Sequence, residues 1–276
     1  MLTSSGSKYR VVEIVLADAA RLVDWKQAGV VGAGFGLKGF DYPWIATSRD
    51  WKPDEAVLDV GAGYSPLPKH LATEYGCELW AVDDFGLSSD EPFWLRGQDP
   101  EEFIRSNPKV NYVLERLGDP DSSTLQSGYF DCIYSASTLE HVPNDLIRPV
   151  WRHMDRLLKP GGEMLHAIDI KLPTHRGLLS LSKALVLDVF GLLVPAGYRN
   201  ANAYYTPKSY LRHISTEIEL DSSAAPSNIG VINTVLSPRI VLEPLDWVVN
   251  RIVKDGYQDV PFIRVTSLLI HLRKLA

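Results

Sequence analysis

Residues 57–68 read VLDVGAGYSPLP, a short apolar run that leads directly into a glycine-rich turn. An apolar run stopped by two glycines, here Gly61 and Gly63, is typical of a buried parallel strand that turns sharply at its carboxyl end. Open α/β sheets bind their ligands in the crevice at that end of the strands. The stretch therefore predicts a turn that holds a nucleoside-bearing cofactor, with the rest of the chain completing the site.

Strands and helices alternate along the chain after this turn. Helices are predicted over 66–75, 100–106 and 145–158, and further strands over 78–82, 110–114, 130–135 and 163–170. Such alternation predicts an α/β fold built on a Rossmann-like, doubly wound and mainly parallel sheet.

The length of 276 residues is long for one minimal domain and short for two full ones. We therefore expect one core with additions. Residues 1–51 are predicted to hold an N-terminal helix, over 8–28, and a loop that covers the cofactor. The core spans 52–172, a helical and aromatic insertion that forms an acceptor lid spans 173–240, and a final helix with terminal strands spans 241–276.

The composition argues against some classes of function. A net charge of −6 makes a general nucleic-acid-binding surface a poor interpretation. Cys77 and Cys132 lie in apolar surroundings and are predicted to be buried, reduced thiols. No cysteine–histidine cluster indicates a metal site.

The chain is expected to be cytoplasmic, because its first ten residues lack the apolar core of a signal sequence. The longest apolar stretch, over 178–195, is interrupted by Lys183 and Asp188, and charges inside a membrane span are costly. We expect no stable membrane insertion. The stretch is predicted to be a buried helix or the contact of a homodimer.

An upstream segment, GFGLKG over 34–39, matches the dinucleotide fingerprint G-x-G-x-x-G. That fingerprint needs a strand before it and a helix after it. Only Val30 and Val31 precede the segment, and a proline among aromatic residues follows it. We predict a flexible loop that closes over the cofactor. A nicotinamide-dependent oxidoreductase using this segment is the competing interpretation.

Three acidic residues follow successive predicted strands at one sheet edge, namely Asp59, Asp83 and Asp119. An acid about 20 residues beyond a glycine turn, as Asp83 is, suits hydrogen bonding to ribose hydroxyls. The turn has the form D-x-G-x-G and lacks the lysine that would hold phosphates. This pattern favours a cofactor that bears ribose but no phosphate.

Five segments in this order resemble the class I S-adenosylmethionine-dependent methyltransferases, and within them the small-molecule branch with an LEHVP segment. The segments are VLDVGAG, AVDD, GDPDSS, FDCIYSASTLEHVP and RLLKPGGEMLHAIDI, and the resemblance covers residues 52–172. It implies S-adenosylmethionine as the cofactor and a seven-stranded sheet whose last strand is antiparallel, with a helical lid.

The resemblance also implies roles for residues at the matching positions. The turn beside the methionine moiety corresponds to Asp59, Gly61, Ala62, Gly63 and Tyr64. Asp83 matches the ribose-binding acid, and Asp84, Phe85 or both flank the adenine. Asp119 matches the acid at the adenine amino group, and Ser135 with its segment SASTLEHV matches the wall under the sulfonium and the substrate. The competing interpretations are a turn-capping role for Asp59 and a solvated loop acid for Asp84.

Methyl transfer to a hydroxyl requires a base that removes the proton of the acceptor. His141 is the first candidate, because it follows the fourth strand, where the family places its substrate, although it could also pack structurally at a helix start. Asp169 and His175 could together act as an alternative catalytic base, or could bind a metal weakly together with Glu140. We predict no metal. By strand alternation, His166 faces away from Asp169 and is predicted to be structural.

The insertion decides the acceptor in this interpretation. Tyr198, Tyr204 and Tyr205 could line an aromatic pocket, or could instead form the core of a lid or a dimer contact. We expect a small-molecule methyltransferase that acts on a hydroxyl of a saccharide or secondary metabolite. A non-catalytic binding subunit that keeps the fold is a further alternative. The sequence names neither the acceptor nor the methylated atom, the metal requirement or the oligomeric state.

Overall fold

The computed structural model describes residues 8–16, 24–32, 38–86, 99–118, 124–142, 146–172 and 264–276. The predicted acceptor lid, over 173–240, and the predicted helix in 243–255 lie outside these residues. The terminal region contributes one described strand.

A seven-stranded sheet forms the centre of the molecule, with the strand order β1-β7-β6-β5-β2-β3-β4. The strands are β1 Tyr9–Leu16, β2 Ala56–Val60, β3 Glu78–Val82, β4 Val110–Val113, β5 Phe130–Ala136, β6 Leu158–Leu172 and β7 Arg264–Lys274.

The strand directions confirm the mainly parallel, Rossmann-like sheet. Strands β2 to β6 pair in parallel, and β7 runs antiparallel to both of its neighbours, β6 and β1. Strand β1 is therefore parallel to the other five. The carboxyl ends of β2, β3, β5 and β6 meet at one edge of the sheet, where the sequence places the ligand.

Helices cover both faces of this sheet. They are α1 Lys38–Thr47, α2 Leu67–Glu74, α3 Pro100–Arg105 and α4 Ile147–Leu157, with a 3₁₀ turn over Leu139–His141. On one face, Trp151 and Met154 of α4 belong to a buried cluster with strand residues. On the other face, Trp44 of α1 and Leu71 of α2 belong to a second cluster. This arrangement is doubly wound, as the alternation predicts, and the helices predicted over 66–75, 100–106 and 145–158 are confirmed.

The prediction of a helix over 8–28 is wrong for its first part, because residues Tyr9–Leu16 form strand β1, whereas residues 24–27 are helical. Its β-branched residues favour an extended strand. The register against β7 shifts between Val11 and Glu13, which marks a bulge. An extra residue breaks the strict two-residue alternation, so the apolar positions imitate helical spacing.

The flexible loop predicted at GFGLKG is also corrected from Lys38 onward, because helix α1 begins there and continues past the proline to Thr47. Its apolar side chains Phe40, Trp44 and Ile45 are buried, and the helix packs against β5, β6 and β7. This burial compensates for the backbone hydrogen bond that Pro43 cannot donate.

Both cysteines are buried and free, as predicted. Among the residues that the structure describes, no helix is both long and apolar enough to cross a membrane.

Candidate functional site

The glycine turn after β2 depends on two residues in the left-handed backbone region. Gly61 has a φ of +71° and Gly63 a φ of +48°, values that side chains with a Cβ rarely adopt. The amide of Gly61 donates a 2.9 Å hydrogen bond to the carbonyl of Val82 at the end of β3. A Cβ at Gly61 would lie 2.0 Å from Cγ2 of Thr138. The turn is therefore packed tightly on one side by the segment that follows β5.

Asp83 links the turn to the end of β3. Its Oδ2 accepts a 2.7 Å hydrogen bond from the amide of Gly63, and its Oδ1 accepts a 2.6 Å hydrogen bond from the amide of Phe85. The side chain is half-buried, and burial raises the pKa of this carboxyl while the two amides lower it. Each carboxylate oxygen has a second lone pair, so the group can still accept hydrogen bonds from a ligand.

An aromatic cluster lies beside Asp83. The Tyr64 ring centroid is 5.2 Å from that of Phe85 and 5.1 Å from that of Phe103, and Phe103 lies 5.8 Å from Tyr112. Phe85 has a φ of +50°, which is a strained value for a bulky residue. Asp84 is half-buried and accepts a 2.9 Å hydrogen bond from the amide of Gly86. The rings pack edge to face or tilted, and Phe85 and Phe103 are buried, so the half-buried Tyr64 is the ring of these three that a planar base could reach.

Asp59 is buried below the turn, at 2% exposure. Burial raises the pKa of its carboxyl to about 8, against the lowering effects of the neighbouring Tyr134 hydroxyl and Lys38 ammonium. Its position under the turn is compatible with either of its two sequence-based interpretations, a turn-capping residue or a residue beside the methionine moiety.

Two small hydroxyl residues after β5 connect the turn to a second group of polar residues. The Thr138 hydroxyl donates a 3.1 Å hydrogen bond to the Gly61 carbonyl. Its neighbour Ser137 is buried, with a φ of +49°. The Ser137 hydroxyl lies 2.6 Å from Oδ2 of Asp41 and 3.2 Å from Oδ1 of Asp169.

These contacts belong to a buried acidic cluster, which we define as Lys38, Asp41, Glu140 and Asp169. Asp41 also accepts a 2.7 Å hydrogen bond from the Ser267 hydroxyl on β7. Lys38 is exposed as a residue, but its ammonium donates a 2.6 Å hydrogen bond to the Ala136 carbonyl. The three acids are 0%, 4% and 9% exposed. Helix α1, the 3₁₀ turn and β6 therefore bring three carboxyls and one ammonium together.

The pKa values of the cluster reflect this burial. Burial raises the pKa of Asp169 to about 7, and the Asp41 carboxyl adds to this effect. Burial raises the pKa of Glu140 well above its ordinary value, and the Asp169 carboxyl raises it further. The pKa of Asp41 is raised by burial in spite of Lys38 and the two serines. Burial lowers the pKa of Lys38, but the surrounding acids raise it by more.

The other predicted residues near β5 have different surroundings. Ser135 is fully buried, and its hydroxyl lies 2.8 Å from Nδ1 of His166. His166 packs against Trp151, with ring centroids 4.9 Å apart, so it has the structural surroundings that were predicted. His141 is half-buried, and its Nε2 lies 3.9 Å from Oε1 of Glu140. The Ser135 side chain thus belongs to the core on the α4 face, and Thr138 takes its place against the turn.

Some predicted site residues lie outside the described residues. These are Asp119, His175, Tyr198, Tyr204 and Tyr205. Within the described part of the chain, no group of three or more histidine, cysteine or acidic side chains has an arrangement that could hold a metal ion.

The sequence interpretation missed Lys38 and Asp41, and it included Ser137 and Thr138 only as members of the segment that begins at Ser135. Lys38 was visible in the GFGLKG segment, but that segment was interpreted as a loop. The serine and threonine stand in the quoted SASTLEHV segment. Only their three-dimensional position identifies them, because short hydroxyl residues are common in loops.

The sequence profile described as "Methyltransferase domain" matches residues 58–166. This range includes the turn, Asp83 and the Ser137–Thr138 segment. Residues 58–166 are a class I S-adenosylmethionine-dependent methyltransferase domain. The cofactor of this methyltransferase domain is S-adenosylmethionine.

Curated relatives include methyltransferases that act at nitrogen and at oxygen. The sarcosine/dimethylglycine N-methyltransferase of Halorhodospira halochloris is 29% identical over 119 residues, which are 43% of this chain and 39% of that protein. The ubiquinone biosynthesis O-methyltransferase of Xanthomonas oryzae pv. oryzae is 26% identical over 166 residues, 59% of this chain and 63% of that protein. The matched part of this chain thus spans less than two thirds of the length of either relative.

Two enzymes are among the solved structures that are similar to this chain. Geranyl diphosphate C-methyltransferase from Streptomyces coelicolor A3(2) has a TM-score of 0.45 and 13% identity, covering 84% of this chain and 76% of that chain. Phosphoethanolamine N-methyltransferase 2 of Haemonchus contortus has a TM-score of 0.40 and 13% identity, covering 82% and 50%.

The residues of the methyltransferase turn fit a nucleoside-bearing cofactor. Gly63 leaves the backbone open, since the nearest atom to a Cβ placed there is Oδ2 of Asp83 at 3.9 Å. Asp83 offers its remaining lone pairs at one side, and the half-buried ring of Tyr64 lies beside it, packed on Phe85 and Phe103.

Proposed function

We propose that this chain transfers the methyl group of S-adenosylmethionine to an oxygen or nitrogen atom of a small molecule. The observation that carries the proposal is the position of Asp83. Its carboxylate fixes the glycine turn through Gly63 and keeps acceptor capacity on the same side. A carboxylate held in this way can accept the two hydroxyls of a ribose, and this is the group that distinguishes the cofactor from a simple amino acid.

The proposed cofactor contacts follow from this position. Asp83 binds the ribose, and the aromatic cluster with Asp84 flanks the adenine. The turn from Gly61 to Tyr64, with Asp59 below it, lies beside the methionine moiety. Asp119 at the adenine amino group stays a prediction from the resemblance.

The chain has little bond chemistry to supply, because the sulfonium is already an activated methyl donor. Holding the nucleophile, methyl carbon and sulfur in line contributes most of the acceleration in such a transfer. The residues around the acceptor must then receive the proton that the nucleophile loses. His141 and Asp169 are the described candidates from the sequence, and Glu140 lies between them in space.

This proposal does not decide whether the methylated atom is an oxygen or a nitrogen. The sequence favoured a hydroxyl of a saccharide or secondary metabolite. The curated relatives include both atom types, and none of those reported above is a saccharide enzyme by name. We therefore retain the hydroxyl as one candidate and place an amine beside it.

Isothermal titration with S-adenosylhomocysteine and S-adenosylmethionine tests the cofactor. We expect binding of both, whereas NAD(H) should neither bind nor protect against thermal unfolding. Absence of binding to both sulfur nucleosides contradicts the proposal, and protection by NAD(H) would favour the oxidoreductase interpretation.

Methyl transfer from the labelled cofactor to matched panels of amines and alcohols tests the reaction. We expect turnover on one panel. Cofactor binding without turnover on any acceptor would favour the non-catalytic binding subunit.

A further inference from the structure

The buried acidic cluster would carry more negative charge than its own lysine can neutralise if all three of its carboxyls were ionised. Asp41, Glu140 and Asp169 face one ammonium, that of Lys38. An ionised carboxylate that leaves water pays a large desolvation cost unless it is paired or hydrogen-bonded. Asp41 accepts a hydrogen bond from Ser267, and the single O–H of Ser137 is shared between Asp41 at 2.6 Å and Asp169 at 3.2 Å. The remaining deficit lies on Glu140.

Glu140 is the member of the cluster that points to a ligand. Its side chain is 0% exposed, and among the described residues neither carboxylate oxygen has a hydrogen-bond partner. The imidazole of His141 lies 3.9 Å from one oxygen, which is beyond hydrogen-bond distance. After burial, the Asp169 carboxyl has the largest effect on the pKa of Glu140, so the two carboxyls are close neighbours in the cluster.

An ammonium group would supply both the positive charge and the hydrogen-bond donors that Glu140 lacks. It brings one positive charge and up to three N–H donors, whereas a neutral hydroxyl brings one donor and no charge. Charge-assisted hydrogen bonds to carboxylates are also about twice as strong as neutral ones. The cluster therefore selects a cationic nitrogen over an alcohol of the same size.

The cluster lies directly beside the proposed cofactor turn. Ser137 binds two of its carboxyls, and the next residue, Thr138, contacts Gly61 through a hydrogen bond and a tight packing contact. Glu140 follows two residues later in the 3₁₀ turn. Lys38 is exposed, and Thr138 and His141 are half-buried. The cluster therefore lies close to solvent beside the cofactor turn.

We propose that Glu140 and Asp169, supported by Asp41 and Lys38, form the subsite that receives the cationic nitrogen of an amine acceptor. This inference rests on the proposed methyl-transfer function and names its substrate class. Glu140 and Asp169 touch the nitrogen, whereas Asp41 and Lys38 act as positioning residues that set the charge of the site.

The same carboxyls can start the reaction. A protonated amine has no lone pair, so it must first give one N–H proton to a carboxylate, which leaves a neutral amine and a carboxylic acid. The amine lone pair then forms the N–CH₃ bond, the C–S bond breaks, and its electron pair stays on the sulfur. The methylated product is again an ammonium ion, and the proton on the carboxyl passes to water.

The test uses an amine and an alcohol of nearly equal shape, ethanolamine and ethylene glycol. Each is titrated calorimetrically at pH 7 into the full chain saturated with S-adenosylhomocysteine. We expect ethanolamine to bind at least about tenfold more tightly than ethylene glycol, as charge-assisted hydrogen bonds require.

Proton release provides a second readout. The titratable and charged groups that face the nitrogen are Lys38 and Asp41 on α1, Glu140 and His141 on the 3₁₀ turn, and Asp169 on β6. Burial raises the pKa of Glu140 and Asp169, and a cation bound between them should lower both pKa values and so displace protons. Repeating the titration in buffers of different ionisation enthalpy should therefore show net release of protons.

Two variants locate the effect, with a matched control. E140Q and D169N keep the side-chain shape and remove one charge, so each should weaken ethanolamine binding about tenfold. The control E101Q changes an exposed glutamate on α3 and should change nothing. S-adenosylhomocysteine binding, measured first, shows that each variant is folded.

Several results would overturn the inference. Equal binding of both probes, no binding of ethanolamine, or unchanged affinity in both folded variants would leave the cluster with a purely structural role in fixing α1 to the sheet. Binding of Mg²⁺ that excludes ethanolamine would assign the carboxyls to a metal. Failure to bind S-adenosylhomocysteine would instead contradict the proposed function itself.

Discussion

The backbone amide of Gly63 donates a 2.7 Å hydrogen bond to Oδ2 of Asp83. This bond joins the glycine turn after β2 to the end of β3, so one carboxylate both shapes the turn and is placed at its mouth. Its other oxygen holds the amide of Phe85, whose ring belongs to the aromatic cluster. The Asp83 side chain therefore connects the proposed ribose site to the proposed adenine site.

Substitution of Asp83 by alanine should weaken S-adenosylhomocysteine binding by at least about tenfold, since hydrogen bonds to a charged group contribute about 1.5–3 kcal/mol. The loss combines the missing ribose contacts with a loosened turn. Isothermal titration measures the change. Asp84→Ala removes one hydrogen bond to Gly86 and should have a smaller effect. Unchanged affinity in Asp83→Ala would remove the ribose assignment.

Gly63→Ala should separate the function of the turn from its stability. A Cβ at Gly63 meets only Oδ2 of Asp83, at 3.9 Å, so the folded chain has space for it. The positive φ should lower the free energy of unfolding by about 1 kcal/mol. Gly128 is the matched control, because it has a φ of +62° and nothing within 4 Å.

We expect Gly63→Ala and Gly128→Ala to lose similar stability in urea unfolding, whereas only Gly63→Ala should lose affinity for S-adenosylhomocysteine, because a methyl group then projects from the turn. Equal affinity in the two variants would place the cofactor away from this backbone.

The sequence predicted the central half of the sheet well, and the physical reason is local. Each strand from β2 to β5 is a short apolar run, and the run in β2 ends at a glycine. Neighbouring residues therefore determine both the type of this element and the place where it ends. The position of Asp59 and Asp83 at the same sheet edge also follows from the strand order alone, since parallel strands place their carboxyl ends together.

The acidic cluster could not be predicted in the same way. Asp41 and Asp169 are far apart in sequence and meet through the hydroxyl of Ser137. A helix containing Pro43 contradicts local propensity, and only burial of Phe40 and Trp44 in the folded chain outweighs it. The bulge in β1 likewise gave the apolar residues of this strand a helix-like spacing, so the strand was not predicted.

Asp59 should make the stability of the cofactor-free chain fall with rising pH. Burial raises its folded-state pKa to about 8, above the value of about 3.9 in an unfolded chain. The folded state therefore binds the proton more tightly, and stability is lost as the pH rises between these values. Asp59→Asn removes this dependence.

Urea unfolding of both proteins at pH 4, 6 and 8 measures the difference. We expect nearly equal stability at pH 4 and a variant that is more stable by a few kcal/mol at pH 8. A less stable variant at pH 8 would mean that the ionised carboxylate supports the turn, as a capping residue does.

Asp155 on α4 should hold the N-terminal strand in the sheet. Its Oδ1 accepts a 2.7 Å hydrogen bond from the Tyr9 hydroxyl and lies 3.1 Å from the Lys274 ammonium, and its Oδ2 pairs with Lys8. Burial raises the pKa of Asp155, but the hydrogen bonds from Lys8, Tyr9 and Lys274 lower it by more, so the net pKa is below its ordinary value. The ionised carboxylate therefore stabilises the fold above the unfolded pKa, and this contribution is lost as the pH falls below it.

Asp155→Asn should lower the free energy of unfolding by about 1.5–3 kcal/mol at pH 7, as the loss of charged hydrogen bonds implies, and by less at pH 3. Because β1 pairs only with β7 at the edge of the described sheet, amide hydrogen exchange over residues 9–16 should accelerate before exchange in β2 or β5. The control Tyr9→Phe removes one donor and should have a smaller effect. Uniform acceleration across the sheet would show that β1 unfolds together with the core, and that the carboxylate of Asp155 does not anchor this edge separately.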